Sequence, residues 1–258
     1  MIANYHTHTY RCGHASGEDE AYVQAALEAG IEILGFADHT PYFFPGEHYS
    51  RFRMRPEVFP GYCQSVQELR DAYQGKMEIH LGVEAEYYPN LFPKLLTFLQ
   101  DHGVEYLLLG QHYIRNETDG VYSGRVTTDP EVLKTYCYQT MDAMNTGLFT
   151  YFAHPDLIRY EGDKKLYLQY MRQLAREAKS CNVPLEMNLL GVREDRHYPN
   201  KDFWKIVAEE NCPVILGSDA HNPEVFYSSL DEEKALARLK DLGLTPLKTV
   251  ALRPINRA

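Results

Sequence analysis

The stretch IANYHTHT at residues 2–9 runs from a short apolar segment directly into two histidines, His6 and His8. Near the other end, PVILGSDAH at residues 213–221 repeats the plan with Asp219 and His221. Alternate residues of an extended chain point the same way, so each pair can grip one ion. Five further segments, at 33–37, 77–83, 106–109, 150–153 and 184–189, are equally short, rich in Ile, Leu, Val and aromatics, and mostly bounded by Gly or Pro. Such runs read as strands buried on both faces. With 2–5 and 213–217 they make seven.

Longer amphipathic segments separate them, at 19–29, 56–73, 92–102, 129–145, 164–181, 201–210 and 230–242. Their boundaries carry capping chemistry. Thr128 or Asp129 before Pro130 marks a helix start. Gly30, Gly103, Gly147 and Gly243 stand just past helix ends, where a left-handed residue is wanted. The alternation predicts parallel βα units in an α/β fold. Seven such units close as a barrel or remain an open sheet, and the pattern alone does not choose. Segment 248–252 is a candidate edge strand.

Composition narrows the function before any motif does. The 258 residues, 44% of them hydrophobic, suffice for one large domain or two small ones, and no low-complexity tract or long Gly/Ser linker divides them. With 26 Lys+Arg against 36 Asp+Glu, the formal charge of −10 disfavours extended nucleic acid and anionic membrane as partners. No apolar run approaches the roughly 18 to 20 residues that span a bilayer. Residues 1–10 lack the basic flank and apolar centre of a secretory signal. Five cysteines, odd in number and never in a CxxC pair, argue against a disulfide framework, so a reducing cytoplasm is the expected location.

The eleven histidines sort themselves against the strands. His6 and His8 close the first and His14 follows it. His39 ends the second, Glu84 the third, His112 follows the fourth, His154 ends the fifth, and Asp219 and His221 end the last. That edge is where α/β proteins gather ligands and catalytic groups. A lone histidine there is more often a satisfied polar residue than a ligand. Six strand ends so marked, two with paired donors, instead point to a metal site. Imidazole plus carboxylate without a thiolate pattern suits Zn, Mn or Fe(II). Nine candidate donors, His6, His8, His14, His39, Glu84, His112, His154, Asp219 and His221, exceed what one ion takes, so two or three ions are implied, with Glu84 able to bridge. Clustered divalent ions make hydroxide from water near neutral pH and hold both oxygens of an in-line displacement. Hydrolysis of a phosphate ester is the expected reaction, with Glu84, Asp219 and His221 as candidate catalytic groups. Asp38, beside His39, is as readily a partner of a ligand histidine as a ligand itself. His48, His80, His102 and His197 lie in polar loops, inside a strand or near a helix end and read as structural.

The ordered motifs His6-Thr7-His8-Thr9, His14, Ala37-Asp38-His39, Gly82-Val83-Glu84, His112, Ala153-His154-Pro155-Asp156 and Ser218-Asp219-Ala220-His221 resemble the polymerase-and-histidinol-phosphatase (PHP) superfamily. Arg53-Met54, Glu86-Tyr87, Glu186-Met187-Asn188 and Gly191-Val192-Arg193 resemble its stand-alone histidinol-phosphatases. The resemblance implies a single domain over 1–258, a distorted, TIM-like (β/α)7 barrel with a trinuclear metal centre. By position, His6, His8, Glu84 and Asp219 would hold one ion, His14, His39 and His221 a second, and Glu84, His112 and His154 a third. The implied reaction is hydrolysis of L-histidinol phosphate to L-histidinol and phosphate in histidine biosynthesis. Gln111 and Leu189-Leu190 depart from the common pattern and bear on the substrate pocket.

A small phosphate ester needs cations beyond the metals, and arginine grips phosphate bidentately. Arg159 and Arg193, after the fifth and sixth strands, are the leading candidates, with Arg196 and Arg115 behind them. The loop Tyr42-Phe43-Phe44 is read as a hydrophobic latch ahead of a cover for the substrate ring. Two rivals stand beside this reading: a PHP-type nuclease or nucleotide phosphoesterase, and a metal-storing module without turnover.

Overall fold

The computed structural model describes residues 1–255. In chain order the first half runs β1 (Ala3–Asn4), α1 (Asp19–Glu28), β2 (Ile33–His39), α2 (Phe59–Ala72), β3 (Glu78–Ala85), α3 (Phe92–Asp101), β4 (Tyr106–Leu109), β5 (Tyr113–Ile114) and β6 (Val121–Tyr122). The second half runs α4 (Pro130–Asn145), β7 (Phe149–Phe152), α5 (Lys164–Ser180), β8 (Leu185–Asn188), α6 (Leu189–Arg193), α7 (Lys201–Glu209), β9 (Val214–Gly217) and α8 (Ser229–Asp241). The seven expected strands and seven expected helices are present, their ends shifted by a few residues. The two-residue strands β5 and β6 and the five-residue α6 are additions. Elements that short carry no periodicity to read.

Seven strands form one parallel sheet in the order β1-β2-β3-β4-β7-β8-β9, while β5 and β6 pair antiparallel outside it. The sheet closes beyond its end strands. Thr7 bridges Ala220 in parallel, His8 N donates to Ala220 O at 2.9 Å, and Ala220 N donates to His6 O at 3.2 Å. Lower down, the Asn4 side chain takes over ladder duty, its Oδ1 accepting from Ser218 N at 2.9 Å. The open-sheet alternative is thereby excluded, and the fold is a single-domain, nearly closed (β/α)7 barrel. The expected edge strand at 248–252 is corrected: those residues form no strand, Leu247 alone makes a parallel bridge to Ile215 on the lower part of β9, and Val250 and Leu252 pack beneath the barrel interior.

The pleat sorts the residues into two layers. On β2 and β3, Leu34, Phe36, Ile79, Leu81 and Val83 face the helices and join Tyr22, Val66, Leu95 and Leu99 in the outer core. The interior cluster holds Ala37, Tyr106, Leu108, Tyr151 and Ile215. Tyr106 crosses it, donating to Tyr5 O at 2.8 Å, and a Cβ on Gly82 would fall 2.2 Å from its ring. The β2–β3 register runs unbroken from Ile33 opposite Glu78 to His39 opposite Glu84, which sets those two polar side chains side by side at the C-terminal mouth.

Candidate metal centre

All nine sequence-predicted donors meet at that mouth. His14, His39, Glu84, His112, His154, Asp219 and His221 line a cavity of about 430 Å³, and His6 and His8 lie fully buried against Glu84 and Asp219. Ligand atoms of His14, His39 and His221 fall within 4.8 Å of one another, as do those of His6, His8 and Asp219, of His8, His39 and Glu84, and of His6, Glu84 and His154.

Glu84 stands at the centre, 1% exposed. Its Oε2 lies 3.0 Å from His39 Nδ1, 3.6 Å from His8 Nε2 and 3.7 Å from His6 Nε2. Its Oε1 faces the other way, 2.8 Å from His154 Nε2 and 3.8 Å from His112 Nε2. Neither oxygen has a hydrogen-bond partner, and neither have His39 Nδ1 and His154 Nδ1. A buried carboxylate left so is costly unless a cation completes it. Facing ring nitrogens tell the same story: His6 Nε2 and His8 Nε2 are 3.1 Å apart, and His14 Nε2 and His221 Nε2 are 3.0 Å apart. The donor set fits divalent metal ions.

A ring of supporting groups orients these donors. His6 Nδ1 lies 2.8 Å from Glu186 Oε1, and Asn188 Nδ2 donates to Glu186 Oε2 at 2.9 Å and to Asp219 Oδ2 at 3.1 Å. His8 Nδ1 is 3.4 Å from Asp38 Oδ1, which also accepts from His39 N at 2.8 Å, so Asp38 takes the supporting role. His112 Nδ1 is 3.2 Å from Glu86 Oε1, and Arg53 clamps Glu86 with both terminal nitrogens, at 3.0 and 2.8 Å. Glu86, Glu186 and Arg53 were not singled out as site residues by sequence reasoning. Their signal is topological: Glu86 and Glu186 sit two residues from, or one strand beside, a donor. Two donors also hold left-handed backbone, His154 at φ 33° and Asp219 at φ 50°, conformations a non-glycine residue keeps only where its surroundings over-determine it.

Charge follows geometry. Burial raises the Glu84 carboxyl, but the imidazoles of His112, His39 and His154 outweigh it and hold Glu84 well below the usual range. Asp219 is held low in the same way by His6, His8 and His221. Burial and the neighbouring His8 push His39 and His221 down, His221 to about 3, which keeps their nitrogens unprotonated for ligation. At His8, burial alone would lower the pKa, yet Asp219 and Asp38 bring it up to about 9. In the metal-free protein the His8 imidazolium therefore stabilises the fold fully below its unfolded value of 6.5, and that contribution is lost as pH rises through about 9. Chelator-treated protein is expected to lose Tm between those limits, whereas metal-loaded protein, with a cation in the proton's place, holds its Tm. Parallel pH–melting curves for the two forms make the comparison; superimposable curves would contradict it.

Gly110 shows how tightly the backbone approaches the centre, since a Cβ there would sit 1.8 Å from Glu84 Oε1. Gly110→Ala should displace the carboxylate at a cost of about 1–3 kcal/mol and lower the bound metal per chain. Metal analysis of the folded variant at wild-type stoichiometry would refute this.

The candidate phosphate-binding arginines are placed apart from the donors. Arg159 is 45% exposed and pairs with Glu161, its Nε 3.1 Å from Oε1. Arg193 turns to α8, its Nε donating to Asp231 Oδ2 at 2.9 Å. Neither lines the cavity; among the described residues Arg196 is the arginine that does. Leu190 lines it too, while Leu189 and Gln111 do not, Gln111 being buried with its oxygen accepting from Tyr87 N. Phe52, Tyr113, Tyr122, Leu157, Glu194 and Tyr198 complete the wall. Tyr42, Phe43 and Phe44 pack on Tyr88 and Phe98, so that loop is a latch. His48, His80, His102 and His197 find partners away from the cavity.

A cluster of imidazoles and carboxylates at the C-terminal mouth of a seven-stranded barrel defines a metal-site α/β-barrel protein. The chain belongs to the PHP domain family, whose pattern matches residues 4–189. It is 29% identical over 251 residues to a Deinococcus radiodurans protein named "Probable histidinol-phosphatase", covering 94% of each chain. To the histidinol-phosphatase of Lactococcus lactis it is 19% identical, covering 98% of this chain and 96% of that one. The crystal structure of histidinol phosphate phosphatase from Lactococcus lactis, complexed with Zn, L-histidinol and phosphate, superposes with a TM-score of 0.75 over 99% of both chains at 19% identity. The Listeria monocytogenes putative histidinol phosphatase follows at 0.70 over 86% of this chain and 96% of that one, with 18% identity. At these identities the two structures establish a shared fold.

Proposed function

We propose that this protein is a metal-dependent phosphomonoesterase that hydrolyses L-histidinol phosphate to L-histidinol and phosphate. The observation that carries the chemistry is Glu84, a buried carboxylate whose two unpartnered oxygens face separate groups of imidazoles. The substrate follows from the relatives named histidinol-phosphatase that match nearly end to end.

Two to three divalent ions, Zn, Mn or Fe(II), would be held by His6, His8, Glu84 and Asp219, by His14, His39 and His221, and by Glu84, His112 and His154. When bound, such ions neutralise phosphate charge and make water a nucleophile near neutral pH. The chain's own part is to hold them. Glu186, Asp38 and Glu86 orient His6, His8 and His112 through their Nδ1 atoms. Asn188 steadies Asp219, and Leu157, Leu190, Phe52 and Tyr198 supply apolar surface to the cavity wall. No side-chain nucleophile is required. The Thr9 hydroxyl is engaged by Asp38, and burial together with the Asp38 charge pushes the Cys12 thiol up.

A cytoplasmic location is consistent with five unpaired cysteines. Among the described residues no helix is long and apolar enough to cross a membrane. The test is kcat/KM on metal-analysed protein for L-histidinol phosphate, nucleoside monophosphates and short single-stranded DNA. A preference for the first supports the proposal. A preference for either nucleotide substrate replaces it with the nuclease-type reading, and turnover of none overturns it.

A further inference from the structure

One wall of the cavity is aromatic and comes from two separate segments. Phe52 belongs to the loop between β2 and α2, while Tyr113 and Tyr122 belong to the β5–β6 hairpin. Phe52 stacks on Tyr113 at a centroid distance of 5.9 Å and an interplanar angle of 18°, and Tyr113 meets Tyr122 at 5.6 Å. The hairpin ladder consists of two pairs, Tyr113 with Tyr122 and Ile114 with Val121. A ladder that short is not stable alone, so its place depends on what holds it from outside.

Side chains hold it at both ends. At the base, Gln139 of α4 accepts from Arg115 N at 2.7 Å and donates to Tyr87 O at 2.6 Å and to Arg115 O at 3.3 Å. At the tip, Glu117 Oε2 lies 3.1 Å from both Nε and Nη2 of Arg53, and its Oε1 lies 3.2 Å from His48 Nε2. Among the described residues, the tip at 116–120 makes its hydrogen bonds to the rest of the fold through Glu117 alone. The Glu117 side chain is 7% exposed, and charge-assisted bonds so shielded are strong ones. Arg53 keeps Glu86 and Thr40 O without Glu117, so this tie serves the hairpin rather than the guanidinium or His112.

We propose that Glu117 is a positioning residue, the clasp that closes the β5–β6 hairpin onto the β2–α2 loop and so sets the width of the cavity for the organic part of an ester. The proposal rests on the phosphatase reading above and adds a specificity determinant that lies outside the cavity lining. Glu117 acts through the rings on either side of the tie. Phe52, next to Arg53 in the chain, packs on the donor rings of His39 and His112 at 5.4 and 5.9 Å, and Tyr113 and Tyr122 extend that wall outward. With the clasp shut the wall is set before a ligand arrives, and binding need not order it. With the clasp open the donors stay in place while the wall moves, which weakens binding more than chemistry.

Limited trypsin digestion probes the clasp itself, since Arg115 and Arg125 are exposed and bracket the hairpin. Glu117→Ala should speed cleavage there by about tenfold, with Glu117→Gln, which keeps an oxygen for Arg53 Nε, in between. On metal-loaded protein, Glu117→Ala should raise KM for L-histidinol phosphate by about tenfold, with kcat and metal per chain within about twofold of wild type. Its kcat/KM preference for L-histidinol phosphate over a nucleoside monophosphate should narrow by about fivefold, because a movable wall admits the larger base. Glu117→Gln should recover part of both effects. Unchanged cleavage overturns the clasp. Faster cleavage with unchanged KM and unchanged preference overturns the positioning role and leaves a purely structural contact. Wild-type protein that turns over neither ester overturns the phosphatase reading and the specificity role with it, while the cleavage rates still decide the clasp.

Discussion

Glu84→Gln is expected to lower kcat/KM for phosphate-ester hydrolysis by about a thousandfold, near 4 kcal/mol of transition-state stabilisation, while the barrel still folds. Glutamine keeps the volume and one carbonyl oxygen but removes the charge that faces His39 and His154 from its two oxygens. The fold should tolerate the change because neither oxygen of Glu84 holds a backbone group or closes a hydrogen bond. What it loses is cation binding. Metal analysis should show fewer ions per chain, and the stabilisation that added metal confers on wild type should shrink with them. A folded Glu84→Gln variant with full metal content and near wild-type turnover would refute the assignment of the centre.

Arg53→Met carries the largest expected effect on stability, about 3–5 kcal/mol. Arg53 is 2% exposed, and its Nη1 also donates to Thr40 O at 3.0 Å while its Nε donates to Glu117 Oε2 at 3.1 Å. Removing it strands the buried charge of Glu86, whose carboxyl is otherwise held low by Arg53 and His112 against the opposing effect of burial. His112 then loses its oriented partner, so activity should fall about 10–100-fold in the surviving folded protein. Arg53→Met with Glu86→Leu should recover part of the stability, because replacing both members of a buried pair leaves no orphan charge, but not the activity. Urea titrations of the single and double variants decide the matter. A single variant costing under about 1 kcal/mol would show that the pair is not the tie the geometry suggests.

Legibility differed by residue. His6, His8, His39, Glu84 and Asp219 could be read because each belongs to a local pattern, a strand end with donors at alternate or terminal positions, and strand direction alone carries them to one edge. Arg159 and Arg193 obey the same local rule and yet turn away. Their directions are set by Glu161 and by Asp231 on α8, partners that no strand-end pattern reveals. Arg196, ranked behind them in sequence, reaches the cavity because Tyr198 and Glu194 hold it there.

The amino-acid sequence by itself determined the alternation of strands and helices, the candidate donors that meet at the barrel mouth and the PHP family, all encoded in short apolar runs, caps and the residues next to them. Tertiary structure alone decided that the sheet closes, because the Thr7–Ala220 bridge joins chain segments separated by almost the whole length of the protein. It also decided which oxygen of Glu84 faces which imidazoles, and which charges are free to meet a substrate. Both depend on side chains brought together from different strands and helices, and local sequence patterns cannot specify such long-range partners.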